Sequence, residues 1–130
     1  MEQTEIIESP HGTYTLLLTT LDNSDVEVRL LHRETSEVVI QYTIDSQRTY
    51  LDEPGITEAF FSQDEQYLVI NNFYYNPILV WDTRSGDLHL EIQDVDDVMS
   101  AEIEPDNTLR IEDGEGTWVR WDLAHRVKLD

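Results

Sequence analysis

The sequence predicts an all-β chain built from three repeats of one four-stranded antiparallel unit. Short runs of alternating apolar and polar residues recur along its 130 residues, and that alternation is typical of half-buried strands. Clusters of Gly, Pro, Asn, Asp and Ser separate the runs and predict turns. No stretch keeps a helical period over a dozen residues, and Pro105 argues against a helix in the best candidate, 94–103.

The clearest unit is Ile78–Leu90, which combines an apolar run, the Trp81-Asp82 pair, a polar turn containing Gly86 and a second alternating run that ends near Ile92. It predicts a strand, a tight turn and a second strand. The same reasoning gives about twelve strands, with Asp45–Gly55 as the longest polar connection. Besides the two strands of this unit, they are Thr4–Glu8, Tyr14–Thr20, Val26–Leu30, Val38–Ile44, Ile56–Phe61, Tyr67–Asn71, Val98–Ile103, Thr108–Ile111, Thr117–Trp121 and Arg126–Leu129.

Three repeats align within a single domain of residues 1–130, at about 4–44, 56–92 and 98–130. In each repeat a polar turn precedes the second strand. The third strand ends in Leu31-His32, Trp81-Asp82 and Trp121-Asp122, at spacings of 50 and 40 residues.

These segments resemble the WD-repeat family of β-propellers over nearly the whole chain. The best matches are Phe61–Ile70 and Leu79–Gly86, followed by Glu104–Asn107 with Val119–Asp122. The first repeat is degenerate at Leu31-His32, and the Gly-His dipeptide typical of the family is missing. The resemblance implies a partial propeller of three four-stranded antiparallel blades.

The Trp-Asp pairs have a structural interpretation. Trp81 and Trp121 can fill the space between neighbouring sheets, and Asp82 and Asp122 can accept hydrogen bonds from backbone N–H groups of the following turn. We therefore expect these four residues to be structural rather than catalytic.

Three blades fall short of the roughly four to eight that close a propeller, so we expect two apolar outer faces that need neighbours. Four arrangements satisfy this need: a second copy closing a six-bladed ring, a different protein supplying the missing blades, a longer propeller of which this is a segment, or a self-closed prism or distorted barrel. The first is favoured because the first strand begins near Met1 and the last ends near Asp130.

The charge is strongly unbalanced, with 28 acidic and 8 basic residues and a net charge of −20. Such a surface repels nucleic acid and anionic membranes and attracts a basic partner, although solubility alone also explains it. The absence of cysteine excludes disulfides and thiolate sites and suits the cytoplasm. We see no signal peptide and no apolar run of the roughly 20 residues that span a bilayer.

Catalytic and metal-binding motifs are not found, so no cofactor, metal or enzymatic activity is expected. His89 and Glu91 share a strand face and form the nearest candidate metal pair. Asp94-Val95-Asp96-Asp97 is rich in oxygen ligands but lacks the spacing of a calcium loop. A solvated acidic turn explains it better.

The loop Phe73-Tyr74-Tyr75-Asn76 is the leading candidate for partner recognition, together with Asp94, Asp96 and Asp97 of the next connection. In the resembling family such connections lie on the face commonly used for partners. Alternatively, Phe73 and one tyrosine tuck under the loop and seal the blade.

The expected function is a protein–protein interaction module that completes its propeller by self-association or with a partner. An acidic inhibitor that masks a basic surface of its target, of the kind that immunity proteins represent, is the alternative. An enzyme on a propeller scaffold is a weaker one.

Overall fold

The structure is a computed structural model that describes residues 3–22, 25–44, 57–72, 78–93 and 98–129. It confirms the all-β fold class, and each strand lies within two residues of its prediction. The strands are β1 (Gln3–Glu8), β2 (Tyr14–Thr20), β3 (Val26–His32), β4 (Val38–Ile44), β5 (Thr57–Phe61), β6 (Tyr67–Asn72), β7 (Ile78–Asp82), β8 (Leu88–Ile92), β9 (Ser100–Ile103), β10 (Thr108–Glu112), β11 (Trp118–Asp122) and β12 (Val127–Lys128).

The strands form three four-stranded sheets, ordered β1-β2-β3-β4, β5-β6-β7-β8 and β9-β10-β11-β12, with antiparallel neighbours throughout. We call them blades 1, 2 and 3. Each is a simple meander, because a short turn suffices to join antiparallel strands. No helix in the described ranges is long and apolar enough to cross a membrane.

The turns repeat from blade to blade, with one residue of positive φ in each first turn and each last turn. Gly86 has a φ of 77° in the last turn of blade 2. A Cβ atom there would lie 2.5 Å from the carbonyl oxygen of Val39 in blade 1, so only glycine fits the space as well as the conformation. The other residues of this kind are Gly12, Glu65 and Asn107 in the first turns, and Ser36 and Arg126 in the last turns.

Two separate apolar cores lie between consecutive blades. The core between blades 1 and 2 includes the fully buried side chains of Leu16, Leu30 and Leu68, with Trp81 at its edge. The core between blades 2 and 3 contains a second set of buried side chains, which are Tyr67, Val69, Ile78, Val80, Ile92, Val98, Leu109, Ile111 and Leu123. Blade 2 therefore buries both of its faces, which makes β7 an almost continuously apolar strand.

The expectation of two apolar outer faces is wrong. Directly opposed residues share a sheet face, and this rule places mixed charged, polar and apolar side chains on the free side of each terminal blade. The blade 1 outer face consists of Thr4, Ile6, Glu8, Thr15, Leu17, Thr19, Glu27, Arg29, Leu31, Val38, Gln41 and Thr43. The blade 3 outer face consists of Ser100, Glu102, Thr108, Arg110, Glu112, Trp118, Arg120, Asp122 and Val127.

The strand register shows which apolar positions have become polar. We call the packed contact between two consecutive blades a joint. Leu16 and Val69 are fully buried in their joints. Arg110 holds the equivalent position on the blade 3 outer face. Leu68 is buried against blade 1, and its equivalent on the blade 1 outer face is Thr15. Terminal repeats of solenoid proteins show the same polar replacement.

The register also explains the degenerate first repeat. Trp81 and Trp121 both point toward the preceding blade and pack in the joint with it. Leu31 holds the same position in blade 1, where the described chain provides no preceding blade to receive a tryptophan.

Candidate interaction surfaces

The predicted recognition loop and acidic connection fall outside the described residues. Phe73, Tyr74, Tyr75 and Asn76 lie in the undescribed range 73–77, and Asp94, Asp96 and Asp97 lie in 94–97. The described strands adjoining these ranges, β6 with β7 and β8, all reach them at the same end of blade 2. We call that end the loop end and the opposite end, which carries the first and last turns of each blade, the turn end.

At the turn end, a carboxylate joins blades 1 and 2. Glu65 is buried with 7% exposure and accepts hydrogen bonds from the hydroxyl of Ser9, the backbone N–H groups of His11 (3.1 Å) and Thr13 (3.3 Å), and the hydroxyl of Thr13 (2.7 Å). Desolvation by burial raises the pKa of Glu65, but these hydrogen bonds outweigh it, so the pKa lies below its usual value.

At the turn end of the joint between blades 2 and 3, the contact is made by different polar side chains. The amide nitrogen of Asn107 donates to Asp64 Oδ2 at 2.9 Å. Burial raises the pKa of Asp64, but hydrogen bonds from Ser62, Asn107 and the backbone lower it by more. This joint is therefore held through an exposed carboxylate.

His89 serves the same joint rather than a metal site. Its Nε2 atom lies 2.5 Å from the carbonyl oxygen of Leu123 and donates to it, and its ring packs 5.1 Å from that of Tyr67. Arg126 Nε donates to the His89 carbonyl at 3.0 Å. The blade joint engages His89, while Glu91, the other member of the nearest candidate metal pair, is exposed. Among the described residues, no three His, Cys, Asp or Glu side chains lie close enough together to hold a metal ion.

The four residues of the Trp-Asp pairs have structural contacts. Asp82 Oδ1 accepts from the backbone N–H groups of Arg84 (2.8 Å) and Ser85 (3.3 Å), and Asp122 Oδ1 accepts from His125 N at 3.3 Å. The side chain of His125 also lowers the pKa of Asp122, chiefly through a hydrogen bond of 2.9 Å.

The indole groups of the two pairs lie in the joints between blades. Trp81 is 8% exposed and packs beside Tyr42 with ring centroids 5.5 Å apart. The indole nitrogens of Trp81 and Trp121 are both buried without a hydrogen-bond partner.

A polar cleft at the turn end of blade 1 brings together residues that sequence reasoning kept apart. It has a volume of about 420 Å³ and is lined by residues of the first and last turns: His11, Gly12, Thr13, His32, Glu34, Thr35 and Glu37. Strand order alone places these two turns side by side, so the alignment of β2 with β3 was the signal available in the sequence. The cleft carries the carboxylates of Glu34 and Glu37 and the imidazoles of His11 and His32, and the guanidinium of Arg33 reaches it beside Gly12.

Charges on the outer faces are paired locally. On the blade 3 outer face, Arg110 forms an ion pair with Glu102 and lies over the Trp118 ring, 4.3 Å from its centroid. On the blade 1 outer face, Arg29 approaches Glu27 at 3.8 Å. Four of the seven large hydrophobic side chains exposed in the described part of the chain also lie on these two faces, namely Ile6, Val38, Trp118 and Val127.

Comparison with known proteins places this arrangement among β-propellers. No family model matches the sequence, and a search of curated proteins gave no significant match. Among solved structures, the Dos1 propeller aligns with a TM-score of 0.65 and 17% identity, over 95% of this chain and 31% of that one. Hydrazine synthase of Kuenenia stuttgartiensis aligns with a TM-score of 0.63 and 18% identity, over 95% and 33%. The WD40 repeats of RRP9 align with a TM-score of 0.63 and 13% identity, over 98% and 38%.

The chain thus spans about a third of each of these solved structures. At such low identity the likeness establishes the fold alone. It confirms the prediction made from the Trp-Asp repeats: the chain has the fold of three tandem β-propeller blades of the WD-repeat type.

Proposed function

We propose that this chain is a non-catalytic protein–protein interaction module. The observation that carries the proposal is the composition of its two outer faces. Ile6 is 64% exposed and Trp118 is 38% exposed, on sheet faces of the kind that blade 2 buries on both sides. Trp118 holds the position at which Ile78 of blade 2 is covered by the following blade, so a partner that packs there would cover it in the same way. A second copy or another protein covering these faces would complete the propeller.

The loop end supplies the second recognition surface of the proposal. Tyrosine and phenylalanine contribute large contact areas at interfaces, which supports a recognition role for Phe73, Tyr74, Tyr75 and Asn76. Asp94, Asp96 and Asp97 in the next connection would favour a basic partner and disfavour nucleic acid and anionic membrane. The lack of cysteine suits a cytoplasmic location.

Affinity capture with the tagged full chain tests this function. A Tyr74→Ala, Tyr75→Ala double variant should lose the captured protein, while Gln63→Ala, at an exposed position of the turn end, should retain it. Loss of a detectable partner together with measurable turnover of a substrate would contradict the proposal.

An acidic inhibitor is the second candidate, and the net charge of −20 favours it. In that case the partner would be a basic protein whose nucleic-acid-binding or catalytic surface is masked. Charge-led association weakens as salt rises. Complexes that persist unchanged from 0.1 to roughly 1 M salt, where the Debye length falls from about 10 to 3 Å, would eliminate this candidate.

A further inference from the structure

We infer that the outer faces are covered by a second copy of this chain, with the blade 3 outer face of each copy packed on the blade 1 outer face of the other. The inference rests on the proposed interaction function and names its partner. Three blades from each copy would give a ring of six, within the range of closed propellers. The contact is head to tail, and a twofold axis uses it twice.

The existing joints provide the template for this contact. The third strand of each blade directs one set of side chains toward the following blade. Val28 in blade 1 and Ile78 in blade 2 are buried there, with 0% and 1% exposure. Trp118 holds the equivalent position in blade 3, where no blade of the same chain follows. A neighbouring blade at the same spacing would cover Trp118.

The apolar groups of the two outer faces are complementary in kind. The blade 3 outer face offers Trp118 and Val127, and the blade 1 outer face offers Ile6 and Val38, all exposed. Tryptophan and arginine are the residues most enriched among interface hot spots, and Trp118 already stacks with Arg110. The result is an aromatic side chain on one face and aliphatic side chains on the other.

The charges of the two faces also permit close approach. The blade 1 outer face carries Glu8, Glu27 and Arg29, and the blade 3 outer face carries Glu102, Glu112, Asp122, Arg110 and Arg120. Each face therefore has a net charge of −1 and presents both signs, although the whole chain carries −20. The acidic excess therefore lies outside these two faces. Repulsion between those charges on the two copies is screened over about 8 Å at physiological ionic strength.

The polar content of these faces predicts a reversible contact. Burying Arg110 and Arg120 is less favourable than burying Leu16 and Leu30 at the equivalent positions. Interfaces of proteins that also exist apart are about as polar as the remaining surface. We therefore expect a dimer that dissociates on dilution, unlike the permanent joints inside the chain.

The test measures the mass of the full chain in solution by light scattering and analytical ultracentrifugation over a concentration series at about 0.15 M salt. The blade 1 variant combines Ile6→Ser with Val38→Ser, and the blade 3 variant combines Trp118→Ser with Val127→Ser. The control combines Leu88→Ser with Met99→Ser, which removes two exposed side chains away from both outer faces. None of these changes alters the net charge.

We expect the wild type to dimerise and the control to match it. Each face variant should dimerise at least about 30-fold more weakly, the change that corresponds to losing a hot spot of about 2 kcal/mol. Mixing the two variants should restore association in part, because one of the two contacts then joins an intact blade 3 face to an intact blade 1 face and the other joins the two altered faces. A face variant that dimerises alone would show a like-to-like contact, and a wild type that remains monomeric at millimolar concentration would show none. Either result overturns the inference.

Cross-linking provides a measurement that does not depend on disruptive variants. The chain contains no cysteine, so Val38→Cys and Val127→Cys each introduce one thiol at an exposed valine. A short thiol cross-linker should join the two variants to each other and neither to itself, and self-linked products would contradict the head-to-tail order. If the chain is monomeric but still captures a protein through Tyr74 and Tyr75, the proposed function stands and the second copy is excluded.

Discussion

The inner and outer faces of the blades share one backbone design but carry opposite side-chain chemistry. On the inner faces, equivalent strand positions hold Leu16, Val69 and Leu68, all fully buried. On the outer faces, the same positions hold Arg110 and Thr15. A repeat therefore specifies a blade through its turns and hydrogen-bonded strands. Whether that blade is joined permanently to a neighbour depends on a few alternating positions.

The largest difference between the two kinds of face should appear when equivalent residues are shortened. Leu68→Ala leaves a cavity in the joint of blades 1 and 2 and should lower the free energy of unfolding by about 3 to 5 kcal/mol. Thr15→Ala, at the equivalent outer position, should change it by about 0.5 kcal/mol or less. Urea denaturation of both variants measures the difference. Equal losses would mean that the blade 1 outer face is as tightly packed as the joint.

Two glycines separate the effect of a joint from the effect of a turn. Gly86 and Gly116 both have positive φ, 77° and 82°. A Cβ atom at Gly86 would meet the Val39 carbonyl of blade 1, whereas one at Gly116 would meet nothing within 4 Å. Gly86→Ala should therefore cost about 2 to 4 kcal/mol, from the left-handed conformation and the clash together.

Gly116→Ala is the matched control and should cost only the conformational part, about 1 to 2 kcal/mol. Thermal unfolding of both variants at neutral pH measures the difference between them. If the two losses are equal, the contact between Gly86 and Val39 contributes nothing to the joint.

The Glu65 carboxylate should make the joint of blades 1 and 2 sensitive to acid. Glu65→Gln keeps the size of the side chain but removes the charge that accepts four hydrogen bonds. We expect a loss of about 1.5 to 3 kcal/mol at pH 7. Because the pKa of Glu65 is lowered on folding, its stabilising effect is present above the ordinary value of 4.5 and is lost as the pH falls through the folded pKa.

The difference between wild type and Glu65→Gln in urea midpoint should therefore shrink progressively as the pH falls below 4.5. The many other carboxylates affect both proteins alike and cancel in the comparison. The Glu115→Gln variant, at an exposed turn of blade 3, is the control. A difference that stays constant down to pH 3 would show that the charge of Glu65 is not what holds the joint.

Sequence reasoning was most successful where structure is local. The twelve strands and their turns follow from alternation and from residues such as Gly86 that turns require. The polar residues of the outer faces were also present in the alternating pattern of the strands, at Thr15 and Arg110. Which side of a strand faces away from the other blades depends on how the sheets stack. Because the sequence does not show this stacking, the outer faces of the terminal blades were wrongly predicted to be apolar.

The same limit explains what was missed at the candidate sites. Glu65 and Ser9 are 56 residues apart in the chain and belong to different repeats. Only the stacking of blades 1 and 2 brings them together. The cleft of His11 and His32 differs, because it lies within blade 1 and the pairing of β2 with β3, which the strand order already suggests, brings the two turns together. Contacts between repeats depend on the angle and spacing of whole sheets, which strand patterns do not encode.

The smallest effect at a buried position between blades is expected at the tryptophan that made the repeat recognisable. Trp81 contributes apolar area to its joint, but its indole nitrogen is buried without a partner, which costs about 1 to 3 kcal/mol. Trp81→Phe removes this orphan donor along with part of the ring, so the two effects should nearly cancel and stability should change by about 1 kcal/mol or less. Trp81→Ala, which loses the packing as well, should cost about 3 to 5 kcal/mol.

Denaturant unfolding followed by far-UV circular dichroism compares the two variants without needing the tryptophan signal. A large loss in Trp81→Phe would mean that the indole nitrogen makes a stabilising contact in solution, and the joint would then depend on the hydrogen bond of the tryptophan as well as on its bulk.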